Sequence, residues 1–351
     1  MPNVLRGTSL CEVDFSAIEA VLVGWFARDP DYIRLAKLGV HSGLASHVLG
    51  APYDAAALIT DPASVRAHLK AIKKRAQATP SGDSNLYDVM KRTVHGSAYG
   101  LTPYGMVESF PKEFKTLAIA KKYQRIYLVD MAPTIPAWQT SVQRFAYDHG
   151  YLGGPGEPPF GHPFAYRHWF WAVSKYTKIT EAQAQRRIKN GNPVVYFHGV
   201  PYKVEFGEDA KRAVAFYPQS TGRGLLTEAM LRLFDPVEAE PYNSYIGDAY
   251  FGRTPLRAPI HDSLFLEFPR RIQDRALEIV IREMTRPCVQ LPNPASWGLG
   301  DYLVVDVEAK VGMAWSAMET VEGFSVGESS PYEAAMADED EDVAALQVEV
   351  A

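Results

Sequence analysis

The stretch Cys11–Glu19 (Cys-Glu-Val-Asp-Phe-Ser-Ala-Ile-Glu) changes hydrophobic period in its middle, and this limits what can surround it. Up to Phe15 the pattern alternates. Cys11, Val13 and Phe15 share one side, and Leu10, Glu12 and Asp14 share the other, as a half-buried strand requires. From Ser16 onward Ile18, Val21, Leu22, Trp25 and Phe26 recur at helical spacing, so a strand runs straight into a helix. Asp14 closes the strand on the side facing away from the core, where a carboxylate is suited to carry a metal ion. The same residues have a plainer reading. Ser16-Ala-Ile-Glu19 fits a capping box, with Ser16 capping the helix and Glu19 reaching back to the cap amide, and Asp14 a solvated strand end.

At 351 residues the chain can bury a large core and is expected to hold more than one subdomain. Cys11 and Cys288 are its only cysteines, so one disulfide is conceivable but an oxidised framework is not, and a reducing compartment is expected. The longest apolar run, Ala20–Ala27, is far too short to cross a bilayer. Arg6, Glu12 and Asp14 interrupt the N-terminus where a secretory signal would need an apolar core. A cytoplasmic location follows as the expectation. The net charge of −5 conceals an asymmetry: the 10 acidic residues beyond Met318 stand with no Lys or Arg among them, leaving 36 basic against 31 acidic residues in the rest. A mildly basic body with an acidic tail permits a polyanionic partner.

Further along, Arg28-Asp-Pro30 reads as a break, residues 31–49 as a helix interrupted at Gly39, and Ala51–Asp61 as irregular. Residues 62–78 form a basic helix bearing Arg66, His68, Lys70, Lys73, Lys74 and Arg75, either a solvated face or a contact for backbone phosphates. After a Pro80–Ser84 turn, Asn85–Gly100 reads as a helix with Lys91, His95 and Tyr99 on one face, and with Gly96 allowing close approach. Such a row can meet a triphosphate at its lysine and a base or sugar at its rings, or can simply be an amphipathic helix. Residues 112–149 look helical, Gly150–Gly161 is a loop, and Tyr166–Trp171 mixes aromatic and basic residues able to stack on bases or on one another. A hairpin is expected over Pro193–Phe206 with its turn at His198-Gly199. Gln219-Ser-Thr-Gly-Arg223 precedes a helix. At Pro259–Phe268 a strand leaves a tight His261-Asp262-Ser263 turn; a helix follows over 270–285, and Tyr302–Val311 is another alternating strand. The acidic segment from about 320 is expected to be disordered.

Three of these segments, in this order, resemble motifs A, B and C of the family A DNA polymerases: Asp14-Phe-Ser-Ala-Ile-Glu19, then Lys91 with Gly96 and Tyr99-Gly100, then His261-Asp262. Similarity at Trp138-Gln139, at Gln219-Ser-Thr-Gly and at Val305–Trp315 extends the resemblance over about residues 8–318. It implies an α+β fold: a right-hand polymerase palm (an antiparallel sheet with flanking helices) plus mostly helical fingers. On that reading 1–30 is the first part of the palm, 31–165 the fingers, 166–318 the second part of the palm with an inserted hairpin, and 319–351 the tail.

The resemblance also implies roles. Asp14, Asp262 and the Phe15 carbonyl would bind two Mg²⁺ ions for phosphoryl transfer, and Lys91 would bind the nucleotide phosphates and assist catalysis. Glu19 would exclude a ribose 2′-hydroxyl with Tyr99 beside it, and His95 and His41 would lie against the incoming dNTP. Gln219, His261, Lys211 and Arg223 would contact the DNA template–primer. The chain departs from the family at Tyr87, where an arginine is usual, and at Ala17, His95 and Ser263. Only 13 residues precede Asp14, so the thumb and exonuclease domain are expected to be absent from this chain. The chain is then either a fragment or one half of a split polymerase, and a phage-encoded split enzyme with a second, thumb-bearing subunit is the expectation. An RNA polymerase or primase-like enzyme of the same fold, and a non-catalytic DNA-binding subunit, remain the alternatives.

Overall fold

The alternation read at the N-terminus produces strand β1 (Thr8–Phe15), in which Ser9, Cys11, Val13 and Phe15 are buried and the residues between them are not. The computed structural model describes residues 7–156, 161–234 and 255–321. In it β1 is the middle strand of a five-stranded sheet with β2 (Leu256–Ile260), β3 (Ser263–Pro269), β4 (Val307–Gly312) and β5 (Met318–Thr320), ordered β5-β4-β1-β3-β2. All its pairings are antiparallel. The register of β1 on β3 runs from Thr8 opposite Pro269 to Asp14 opposite Ser263, and that on β4 ends at Phe15 opposite Val307. The helix Gln273–Met284 packs against β1, β3 and β4, its apolar residues Ala276, Leu277, Val280 and Ile281 all buried. The α+β class expected from the sequence holds.

Two compact units divide the chain. One comprises Met1–Ile18 with Gly222–Ala351 and contains this sheet; the other comprises Glu19–Thr221 and is mainly helical. Residues 19–30 and 166–221, assigned to the palm on sequence, thus cluster with the helical unit. The sheet-bearing unit also buries Glu283, at 1% exposure, among Arg232 (3.2 Å), Arg282 (3.3 Å) and Arg286 (3.6 Å). A carboxylate so deep is tolerable only because it is ringed by cations.

The helices of the second unit are α1 (Ile18–Phe26), α2 (Pro30–Val48), α3 (Ala57–Thr60), α4 (Pro62–Ala78) and α5 (Leu86–Ala98). They continue with α6 (Pro103–Ser109), α7 (Leu117–Arg125), α8 (Thr134–His149), α9 (Glu181–Lys189) and α10 (Glu208–Phe234), the last of which runs on into the first unit. Side-chain caps start several of them: Asp29 accepts from the Tyr32 amide, Asp61 from Ser64 and Asn85 from Asp88. Gly39, at φ +125°, kinks α2 as its sequence position suggested, and α2 packs against α4 and α5. On α4 the apolar stripe Val65, Leu69, Ile72 and Ala76 is buried while Lys70, Lys73, Lys74 and Arg75 are exposed. His68 leaves this basic face, its Nε2 lying 3.0 Å from the Ala51 carbonyl.

Several expectations change. Glu19 does not close a capping box: the helix begins at Ile18, after Ala17 has taken a left-handed φ of +52°, and Ser16 gives its amide to the Asp306 carbonyl at 2.7 Å. Residues 302–311 are two strands. Tyr302–Leu303 pairs with Cys288–Pro292 and β4 pairs with β1, yet Leu303, Val305, Val307 and Ala309 are all buried, so the side-chain period persists while the ladder partner changes. Gln219–Arg223 does not precede a helix but lies inside α10, with Pro218 in its interior. Buried Tyr217, Thr221, Leu225 and Leu226 on both sides of the proline offset the ladder bond it removes. Residues 112–149 break into α7, a π-helical turn at Ile126–Met131 and α8, and α6 was not anticipated. Cys11 and Cys288 are both free and buried. The segment expected to be disordered lies, from 322 on, outside the described residues. No helix among the described residues is long and apolar enough to cross a membrane.

Leu264 is fully buried on β3 directly opposite Val13. Leu264→Ala should destabilise the protein by about 3 kcal/mol through lost burial and the cavity left behind, read as a lower denaturant midpoint. Val289→Ala, at a position 65% exposed, should change it by less than about 0.5 kcal/mol.

Candidate active site

Two residues 248 positions apart meet at one end of the sheet. Asp14 is the penultimate residue of β1, and Asp262 sits in the two-residue turn that joins β2 to β3. The ladder puts Asp14 opposite Ser263, and the Phe15 amide donates to the Asp262 carbonyl at 3.2 Å. Ser263, buried, ties the turn by donating from its hydroxyl to the Ile260 carbonyl at 2.9 Å. His261 precedes the acid at a left-handed φ of +55°, as Ala17 follows Asp14 at +52°. Non-glycine residues hold that conformation at a cost of about 1 kcal/mol or more, and here it flanks both acids.

The two carboxyl groups are within hydrogen-bonding reach of one another. Asp14 is half-buried, and its pKa is pushed up to about 7 by that burial first, then by the charge of Asp262 and the hydrogen bond with it. Lys310, 3.7 Å from Glu12 on the neighbouring strand, opposes the shift without cancelling it. Two acids held against each other with so little compensating charge form a hard-oxygen donor pair that a divalent cation fits. Among the described residues no group of three or more His, Cys, Asp or Glu side chains is arranged to hold a metal. Two carboxylates alone suit Mg²⁺, which binds few protein ligands and keeps the rest of its shell for water and phosphate oxygens.

The second unit has its own cluster. Lys91, His95 and Tyr99 follow one another along α5 and its C-cap, and Lys91 is exposed. His95 Nδ1 lies 3.5 Å from Glu19 Oε2. Burial acts to raise the Glu19 pKa, but His95, Tyr99 and Gln219 within hydrogen-bonding reach outweigh it and hold the carboxyl below its ordinary value. The rings of His41 and His95 are 5.2 Å apart, and Tyr87 stands edge-on to His41 at 6.0 Å with Lys73 over its own face. Burial, and then the charges of His95, Lys91 and Lys73, push the His41 pKa down to about 3, so this imidazole is neutral at any ordinary pH. Its Nε2 is buried and has no hydrogen-bond partner among the described residues. A buried polar atom left in that state, beside an exposed lysine, is a place for a ligand to bond.

Of the remaining sequence candidates, Gln219 adjoins Glu19 and His261 adjoins Asp262. Gln219 and Arg223 are exposed on α10, and His261 is exposed at the tip of its hairpin. The Lys211 side chain lies outside the described residues. Gly96 does allow a close approach, by the Leu101 side chain: a Cβ there would come within 3.1 Å of it.

No protein-family model matches the chain, and no curated protein does. Among solved structures it is similar to the POL domain of Pol1 from M. smegmatis, in complex with DNA primer-template and dNTP. The identity is 18%, the match covers 88% of this chain and 40% of that one, and the TM-score is 0.49. The chain thus spans 40% of the length of the structure it matches.

Sequence reasoning missed what holds α5 in place. Gln139, almost fully buried, donates from Nε2 to the Ser97 carbonyl at 2.6 Å and the Ala98 carbonyl at 2.8 Å, and Gln124 donates to the Leu101 carbonyl at 2.7 Å. These two amides satisfy acceptors that a helix end leaves open. The buried pair Trp138-Gln139 was visible in the sequence, but nothing local says which carbonyls it meets.

The acid pair carries a pH signature. With its folded pKa raised from 3.8 to about 7, Asp14 keeps a proton that the unfolded chain has already lost, so stability falls as pH rises from about 4 to about 7 and then levels off. Asp14→Asn removes this dependence. In metal-free buffer it should melt at least about 2 °C above the parent at pH 8 and level with it near pH 4. Thermal denaturation at both pH values checks this.

Proposed function

We propose that the chain is the catalytic part of a template-directed DNA polymerase, extending a primer 3′ end by phosphoryl transfer. The observation that carries this reading is the convergence of Asp14, near the end of β1, and Asp262, in the turn that leads into the neighbouring β3, carboxyl to carboxyl. These two side chains would hold Mg²⁺, which when bound supplies the positive charge that attacking and leaving oxygens of a phosphate need. The carbonyl of Phe15, whose amide donates to the Asp262 carbonyl, would be a further oxygen donor to the ion.

Nucleotide binding falls to the α5 cluster. Lys91 offers an exposed ammonium to a polyphosphate. Glu19, held ionised by His95, Tyr99 and Gln219, presents a carboxylate backed by rings. Against a deoxyribose this wall is neutral, whereas a 2′-hydroxyl would have to displace an existing partner or meet the ring edge. That favours deoxynucleotides over ribonucleotides and so a DNA polymerase over an RNA polymerase or primase of similar fold. The neutral His41, with its unpartnered Nε2, adds a donor or acceptor for the same ligand.

Primer extension with a DNA template–primer, dNTPs and Mg²⁺ tests the reading. Asp14→Ala and Asp262→Ala should each lower the rate by about a thousandfold or more, with DNA binding retained. Activity should also disappear with EDTA and return with added Mg²⁺. Extension that survives both substitutions would end the proposal. Glu19→Ala should raise ribonucleotide incorporation by at least about tenfold relative to deoxynucleotide, measured by competition on one template.

A further inference from the structure

Between the pair Tyr151–Gly153/Arg167–Trp169 and α10, the chain builds a small sheet that none of the roles above uses. Its strands are Ser174–Lys178, Val194–Phe197 and Val200–Phe206, with the longest in the middle. The outer two pair with it antiparallel, Tyr176 opposite Val204 and Val195 opposite Tyr202. A two-residue turn with both residues at positive φ, His198 at +48° and Gly199 at +77°, closes the hairpin in the primed form that matches strand twist. The helix α9 packs against the last two strands, and Tyr196 bonds its residue Glu181 at 3.0 Å, so α9 covers the face that carries Tyr196, Pro201 and Lys203.

The opposite face is exposed at Tyr176, Lys178 and Phe197. By register it carries Tyr176 and Lys178, then Val200, Tyr202, Val204 and Phe206, then Val195 and Phe197, and no acidic residue; Val204 is buried and Phe206 packs against Tyr147 at 5.4 Å, so the exposed part is the end that holds Tyr176, Lys178 and Phe197. Tyr176 is 51% exposed and Phe197 50%. Phe197 lies 5.6 Å from the Tyr176 ring and 5.4 Å from the Tyr202 ring, edge-to-face with each, so the three rings brace one another in a row. Exposing such rings is costly unless something comes to lie on them. Charge says what. Residues 172–206 contain six basic and two acidic residues in a chain whose net charge is −5; Lys178 stands on the aromatic face itself, Lys175 and Lys203 on the face α9 covers, and Arg186, Arg187 and Lys189 on α9, while the acids are engaged locally, Glu181 with Tyr196 and Gln185, and Glu205 with Lys203.

We propose that this open sheet face is a stacking platform for single-stranded nucleic acid, separate from the acid pair and from the α5 cluster. Ring faces stack on bases only where the bases are unpaired, and surrounding lysines and arginines neutralise the backbone without reading sequence. An acidic protein could satisfy the charge, but a row of aromatic rings with a lysine among them is the pattern that meets bases and phosphates together. The inference does not rest on the polymerase reading and can stand or fall apart from it.

The test uses the full chain, carrying Asp14→Ala to silence extension, and fluorescence anisotropy with labelled oligothymidylate of about 20 nucleotides and with a blunt duplex. Tyr176→Ala combined with Phe197→Ala should weaken oligothymidylate binding by about tenfold or more and leave duplex binding and the melting temperature unchanged, while Phe197→Trp keeps the affinity. Lys178→Ala should flatten the salt dependence on the single strand. Single-strand affinity within about twofold of the parent in the double-alanine variant, at unchanged melting temperature, overturns the proposal, as does an equal loss on the duplex. So does a sedimentation result in which that variant turns an oligomer into a monomer while nucleic-acid binding persists, for then the face docks protein. In the Asp14-containing chain, extension of short primer–templates by the double variant should match the parent; a shortfall there would argue that the face belongs to the catalytic reaction and overturn its separateness.

Discussion

Repulsion between two carboxylates governs the sheet-bearing unit. Charges of the same sign about 4 Å apart near a protein surface oppose each other by roughly 4 kcal/mol, more than a surface lysine one strand away returns. The fold accepts this because the alternative is worse. β1 is the central strand, and its buried side chains Cys11, Val13 and Phe15 fix the register on β3 and β4. Slipping by one residue to part the acids would turn that whole row toward solvent. Apolar burial therefore holds a polar juxtaposition that the acids would not choose, and the unrelieved charge is what gives the pair its appetite for a cation.

The cluster on α5 is organised differently. There the charges are matched: Glu19 is met by His95, Tyr99 and Gln219, while Lys91 is exposed and the Nε2 of His41 is buried with no partner among the described residues. The supporting shell is made of amides. Gln139 and Gln124 take the carbonyls at the helix end, and the kink at Gly39 bends α2 beneath. A rigid, largely pre-paired surface of this kind loses little freedom when a ligand arrives.

How much of this could be read from the chain depends on distance along it. The strand-to-helix change at Ser16, the hairpin tip at His261-Asp262, the break at Asp29-Pro30 and the face of α5 are local patterns of period, cap and turn, and they hold. What failed was also local, but overruled. The capping box at Ser16–Glu19 lost because the partners of Glu19 lie some 80 to 200 residues away in sequence and outcompete a cap amide. The expected helix start after Gln219 lost because buried side chains carry α10 through Pro218. The antiparallel sheet and the meeting of Asp14 with Asp262 were expectations from family resemblance, and which strands flank β1 was not read at all. Residue patterns alone mark edges and faces but do not name the neighbour.

The ladder between β1 and β3 secures its geometry through seven opposed residue pairs and takes no account of how much chain lies between the strands. Closing a loop twice as long costs only about 0.6 kcal/mol more. The 248 residues separating the acids are therefore an open stretch into which whole elements can be spliced at small thermodynamic expense. The aromatic sheet after Trp171 lies within that interval.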